Sequence, residues 1–82
     1  MTLLAREESA LVLADRHISE ALQRIALQEK RVTEQQERGQ DSSQGEKLLS
    51  IMRDVLCSFM DHRRQIEEEL ERERRLLKTL GP

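Results

Sequence analysis

The chain has 82 residues, is 37% hydrophobic and 37% charged, and carries one Phe, no Tyr, no Trp and a single Pro at its last position. That length holds one small domain, and the abundance of helix formers over strand-favouring residues points to an all-α fold. Fourteen basic and sixteen acidic residues leave a formal charge of −2 with the signs interspersed, so the bulk basic excess of a typical nucleic-acid binder is missing.

The first predicted element is a helix over about 3–38. Apolar residues recur every seventh position at Leu4, Leu11, Ile18, Ile25 and Val32, and a sustained heptad specifies how helices pack on each other. With Leu4 set as position a, the d positions are Glu7, Ala14, Ala21, Gln28 and Gln35. The seam on this helix therefore combines large a residues with small or polar d residues. Gly39 suits the left-handed C′ position that closes a helix.

Residues 39–45, Gly-Gln-Asp-Ser-Ser-Gln-Gly, hold two of the three glycines and no apolar side chain, which is turn chemistry. Ser43 followed by Glu46 has capping-box spacing, in which the hydroxyl accepts from the third helical amide and the carboxylate reaches back to the cap. A second helix is predicted over about 44–80.

In that helix the a positions are Leu49, Leu56, Arg63, Leu70 and Leu77, and the d positions are Met52, Phe59, Ile66, Glu73 and Leu80. Arg74, Arg75 and Lys78 lie near its C-terminus, where cations complement the helix dipole, and Gly81-Pro82 supplies a stop. A turn this short makes the helices antiparallel neighbours. Pairing residues whose numbers add to about 81–84 brings the two heptad patterns into register. Val32 then meets Leu49 and Met52, Ile25 meets Leu56 and Phe59, Ile18 meets Arg63 and Ile66, Leu11 meets Leu70, and Leu4 meets Leu77 and Leu80. The expected fold is a long, coiled-coil-like helical hairpin in one domain, residues 1–82, with an intrachain seam of Leu4, Leu11, Ile18, Ile25, Val32, Leu49, Met52, Leu56, Phe59, Ile66, Leu70 and Leu77.

Two helices enclose no interior, and ordering about 70 residues costs on the order of 100 kcal/mol. The hairpin is therefore expected to need further burial. Leu13, Leu22 and Leu27 on the first helix and Leu48, Val55, Met60 and Leu76 on the second lie outside the a/d stripe. Apolar residues at such positions widen a helix face for three or four helices. These seven are the candidate oligomer or partner interface. The expected assembly is a homodimer forming an antiparallel four-helix bundle, since two-fold dimers are the commonest soluble oligomers. Arg63, Glu73, Gln28 and Gln35 interrupt the seam. They either fix register or partner choice or sit at a solvated edge.

Chemistry-bearing motifs are sparse. Cys57 is the lone cysteine, which excludes an intramolecular disulfide and a paired-thiol zinc site. It sits at b with no histidine three or four residues away, so a spectator thiol is favoured over a nucleophile. His17 and His62 both occupy g. Neither lies in the Glu-x-x-His motif of di-iron bundles, because Ala14 and Phe59 stand three residues before them. The run Glu67 to Arg75 reads as a solvated face of i to i+4 pairs. Arg63, Arg64, Arg72, Arg74, Arg75 and Lys78 are interleaved with carboxylates and have no aromatic neighbours for base stacking. Gly45 belongs to no phosphate-binding motif. No residue is nominated as catalytic, cofactor-binding or metal-ligating, and enzyme activity is not expected.

The first residues meet acidic charge before any apolar stretch long enough for a signal peptide, and the longest apolar run, 10–14, falls far short of the ~20 residues that span a bilayer. A soluble, cytoplasmic protein without membrane contact is expected. The leading functional expectation is a small non-catalytic helical interaction protein that self-associates, with adaptor or escort action for another protein as an extension. The alternative is a regulatory accessory that touches nucleic acid through the basic residues of an assembled dimer.

Overall fold

A computed structural model describes residues 3–81, with side chains from residue 5 onward. Two helices make up the described chain, α1 (Leu3–Glu37) and α2 (Ser43–Leu80), and they pack along their lengths as one antiparallel pair measuring 69 × 16 × 14 Å.

The end of α1 is set by Gly39. Its φ of 68° lies in the left-handed region, where the absence of a Cβ removes the steric penalty. That turn of the backbone lets Gln40 N–H donate to the Gln35 carbonyl at 2.9 Å and Gly39 N–H to the Gln36 carbonyl at 3.1 Å. Together these bonds form the Schellman pattern, satisfying carbonyls that the helix leaves open.

The start of α2 departs from the expected capping box. Ser42 is the N-cap residue and makes no side-chain cap bond. The capping role falls to Asp41, whose Oδ1 accepts from the Ser43 backbone N–H at 3.0 Å. Glu46 turns to Gln36 instead, accepting from its Nε2 at 2.8 Å and from Ser42 Oγ at 3.1 Å. A polar strap thus ties the first turn of α2 to the last turns of α1. Gln36 and Glu46 are ten residues apart, so no capping motif local in sequence marks this strap. At the other end Lys78 lies in the last turn and Gly81 is extended, as a residue before proline prefers.

The seam runs as the heptads require, with a difference in depth. Ala14, Ala21 and Gln28, all at d, are buried in α1, as are Ile25 and Val32 at a, whereas Leu11 and Ile18 are half-buried. Small d side chains let the α2 ridge approach closely, and the larger a residues above them lean partly over the edge. On α2, Leu49, Ile66 and Leu70 are buried, while Met52, Leu56 and Phe59 are half-buried. The best-covered cluster is Ala14, Ile66 and Leu70, with Leu70 only 2% exposed and Ala10 and Leu11 packed against it. Leu77, expected in the seam, is 57% exposed. It stands in the last turns of α2, where only the first turn of α1 is available to cover it, and its expected partner Leu4 lies outside the described side chains.

Candidate interaction face

In an antiparallel pair the e positions of the two helices flank one edge of the seam and the g positions flank the other. At 100° per residue the c positions lie just beyond g, and the b positions just beyond e. These two edges carry different chemistry.

The e edge is ionic. Glu8 pairs with Arg74 at 3.6 Å and Glu29 with Arg53 at 3.6 Å, both on the expected register. Between them Arg63 reaches Asp15 across the seam and Glu67 in its own helix. Arg63 occupies an a position, yet both of its carboxylate partners are at e, so its long side chain leaves the core line and joins the ionic edge. Those two carboxylates hold its guanidinium even more firmly protonated than usual. Leu22, Met60 and Val12 are the exposed apolar residues on this side.

The g edge holds Arg24, Arg31, His62 and Glu69 but is richer in exposed large apolar side chains. Leu13, Leu27, Leu48, Ile51, Val55 and Leu76 all fall at c or g and are all exposed. Among the described residues no ion pair crosses between the helices on this side. Ala21 at d is the structural cause of a notch here. Its short side chain leaves a depression of about 150 Å³ whose lining also includes Met52, Phe59, Ile51, Val55 and Arg24. Small-molecule sites are typically ~300–1,000 Å³, so this notch is closer to the size of one apolar side chain from a partner. Beyond it, His17 packs its ring against Phe59 with centroids 5.5 Å apart and planes tilted by 36°.

Of the seven expected interface residues, the structure gathers Leu13, Leu27, Leu48, Val55 and Leu76 on the apolar edge and puts Leu22 and Met60 on the opposite one. All seven are exposed. Ile51 and Val12 were not nominated, although they are 60% and 70% exposed. The spacing of Leu48, Ile51 and Val55, three and then four apart, was the signal that would have found Ile51.

The polar seam residues have distinct fates. Gln28 is buried and donates from Nε2 to the Gly45 carbonyl at 3.2 Å. Gln35 is half-buried and its Oε1 approaches the same glycine. Glu73 is half-buried on the seam with one carboxylate oxygen, Oε2, covered and unpartnered, as is Oε2 of Glu7.

Cys57 and His62 are exposed. Among the described residues, no three His, Cys, Asp or Glu side chains cluster as ligands for a metal ion. The distal basic residues are largely engaged: Arg64 pairs with Asp61 at 3.1 Å, Arg75 with Glu71 at 3.4 Å and Arg74 with Glu8. A wider trough of about 630 Å³ beside Leu11 and Leu70 is walled by Glu67, Glu71, Arg72 and Arg75 among others, so its charges alternate. No helix among the described residues is long and apolar enough to cross a membrane. The chain matches no family model, and no curated protein or solved structure is significantly similar to it.

Proposed function

We propose that this protein is a non-catalytic helical interaction module whose apolar g edge packs against a second copy to complete an antiparallel four-helix bundle. The observation that carries the reading is the asymmetry of the two edges. One edge is closed by Glu8–Arg74, Asp15–Arg63 and Glu29–Arg53, while the other exposes Leu13, Leu27, Leu48, Ile51, Val55 and Leu76. An ionic edge is at home in water. Exposed large apolar side chains are not, and exposed apolar surface of this kind marks interaction sites.

In this assembly Leu48, Ile51 and Val55 act as anchors, and the notch over Ala21 receives an apolar side chain beside Arg24, which lines it. Displacement of the second copy by another amphipathic helix is the form an adaptor or escort would take, since the same edge reads any helix with complementary apolar spacing.

Sedimentation equilibrium on the full chain at micromolar concentration tests the reading. The expected result is a dimer that Leu48→Glu with Val55→Glu weakens by roughly 100-fold or more, the loss typical of charge placed on interface hot spots. Met60→Glu, on the ionic edge, leaves the dimer intact. A well-folded monomer for the unmodified chain overturns the proposal. So does equal weakening by the ionic-edge variant.

A further inference from the structure

The far end of the hairpin holds an unusual pair. Glu7 of α1 and Glu73 of α2 both occupy d positions, the line that points most directly across the seam, and both are half-buried there. Each keeps one oxygen, Oε2, covered from solvent without a hydrogen-bond partner. A carboxylate only accepts hydrogen bonds, so two ionised groups facing each other leave both acceptors unsatisfied and both charges in repulsion. One proton between them supplies the missing donor.

A further carboxylate adds to the repulsion. From α2, Glu73 and Glu69 face Glu7. The nearby Arg74 is directed to Glu8 on the ionic edge.

We propose that Glu7 and Glu73 form an acid-closed latch: with one proton shared between them the open end of the hairpin zips shut, and with both ionised the ends of α1 and α2 part. Glu7 is poised for this role, because burial first, then the neighbouring Glu73 carboxyl, and last Glu69, hold its carboxyl above the ordinary range. The sign follows from linkage. A group whose affinity for protons is raised by folding adds stability that is complete below its ordinary pKa and is lost as pH rises through the raised value. The distal turns therefore close on acidification and loosen toward neutral pH. The other end of the rod, tied by Gln36, Ser42 and Glu46, has no such pair and stays closed.

The device is read with spin labels on the full chain. In a Cys57→Ser background, one pair at Ser9→Cys and Arg72→Cys reports the distal end, and a second pair at Lys30→Cys and Lys47→Cys reports the turn end. Dilution with unlabelled chain removes distances between copies. The expected result is a distal distribution that is narrow near pH 4 and becomes longer and broader as pH rises to about 8, with the turn-end distribution fixed. Glu73→Gln and, reciprocally, Glu7→Gln each install an amide donor opposite the remaining carboxylate, so the distal ends stay closed across the range. A distal distribution indifferent to pH in the unmodified pair overturns the proposal, as does a pH dependence that survives in both Gln variants.

Discussion

Gln28 and Gly45 join the two helices near the turn by a hydrogen bond from side chain to backbone. The buried amide donates to the Gly45 carbonyl at 3.2 Å, and a Cβ built on Gly45 would lie 3.1 Å from Val32 Cγ2, 3.2 Å from Gln35 Oε1 and 3.4 Å from Gln28 Nε2. Gly45 is therefore where the α2 backbone fits against the α1 surface, and the two glutamines that interrupt the first heptad stripe converge on it.

Substitution at that glycine separates helix propensity from packing. Replacing a helical Gly by Ala gains up to ~1 kcal/mol of propensity, which crowding against the stiff, buried Val32 offsets. Gly45→Ala is expected to stay within about 1 kcal/mol of the parent, whereas the branched Gly45→Ile is expected to lose more than ~2 kcal/mol through overpacking. Urea unfolding of the two variants measures both. An equally stable Gly45→Ile variant would show that the helices do not meet closely there.

Gly39 gives a test of backbone handedness. An L-residue at its φ of 68° carries a penalty of roughly 1–2 kcal/mol, partly offset by reduced freedom in the unfolded chain. Gly39→Ala should lower stability by about 1 kcal/mol, and D-alanine introduced there by chemical ligation should instead raise it. Thermal unfolding of the pair of diastereomers reads the sign directly.

The burial gradient along α2 predicts a matching gradient of sensitivity. Leu70 is 2% exposed and Leu80 is 80% exposed. Leu70→Ala is expected to cost about 2–5 kcal/mol, while Leu80→Ala should fall within about 0.5 kcal/mol of the parent. Comparable losses at both sites would mean that the last turn of α2 is covered in solution.

Asp41 should give the turn end an acid limb of opposite sense to the distal latch. Its carboxylate accepts from the Ser43 backbone N–H and then from the Ser43 side chain, and these bonds hold its pKa below the ordinary value. A group depressed by folding contributes stability that is present above its ordinary pKa and lost as pH falls through the folded one. Asp41→Ala should therefore destabilise the hairpin at neutral pH, and the difference from the parent should vanish in strong acid. Melting curves across that range check both limbs.

Much of the fold is legible in the sequence because each element is marked redundantly. The heptads place Ile25, Val32, Leu49, Ile66 and Leu70 in the seam, and Gly39 ends α1 by a backbone requirement that few other residues meet. The cap of α2 is less legible. Asp41, Ser42 and Ser43 can all cap in principle, and the choice depends on Gln36 reaching across from α1 to hold Glu46, a contact that exists only once the hairpin has formed. The candidate face was partly visible for a similar reason. Heptad letters alone identify Leu48 and Val55, at g, and Leu22 and Met60, at e, as spare apolar residues, but they do not say which edge is closed by ion pairs. That difference follows from Glu8, Asp15 and Glu29 finding arginines across the e edge, which is a property of the pair of helices. Arg63 shows the same limit, since its letter assigns it to the core and only the positions of Asp15 and Glu67 draw it outward.

A body 69 Å long with a cross-section of 16 × 14 Å offers almost nothing at its tips. A cross-section of that size covers less area than a specific contact between proteins normally needs, so the long flanks hold nearly all of the surface that a partner could use. With the ion pairs along one flank and most of the exposed large apolar side chains along the other, the proposed pair joins by its greasy flanks and turns outward the ionic sides, where Val12, Leu22 and Met60 are the large apolar side chains left in water.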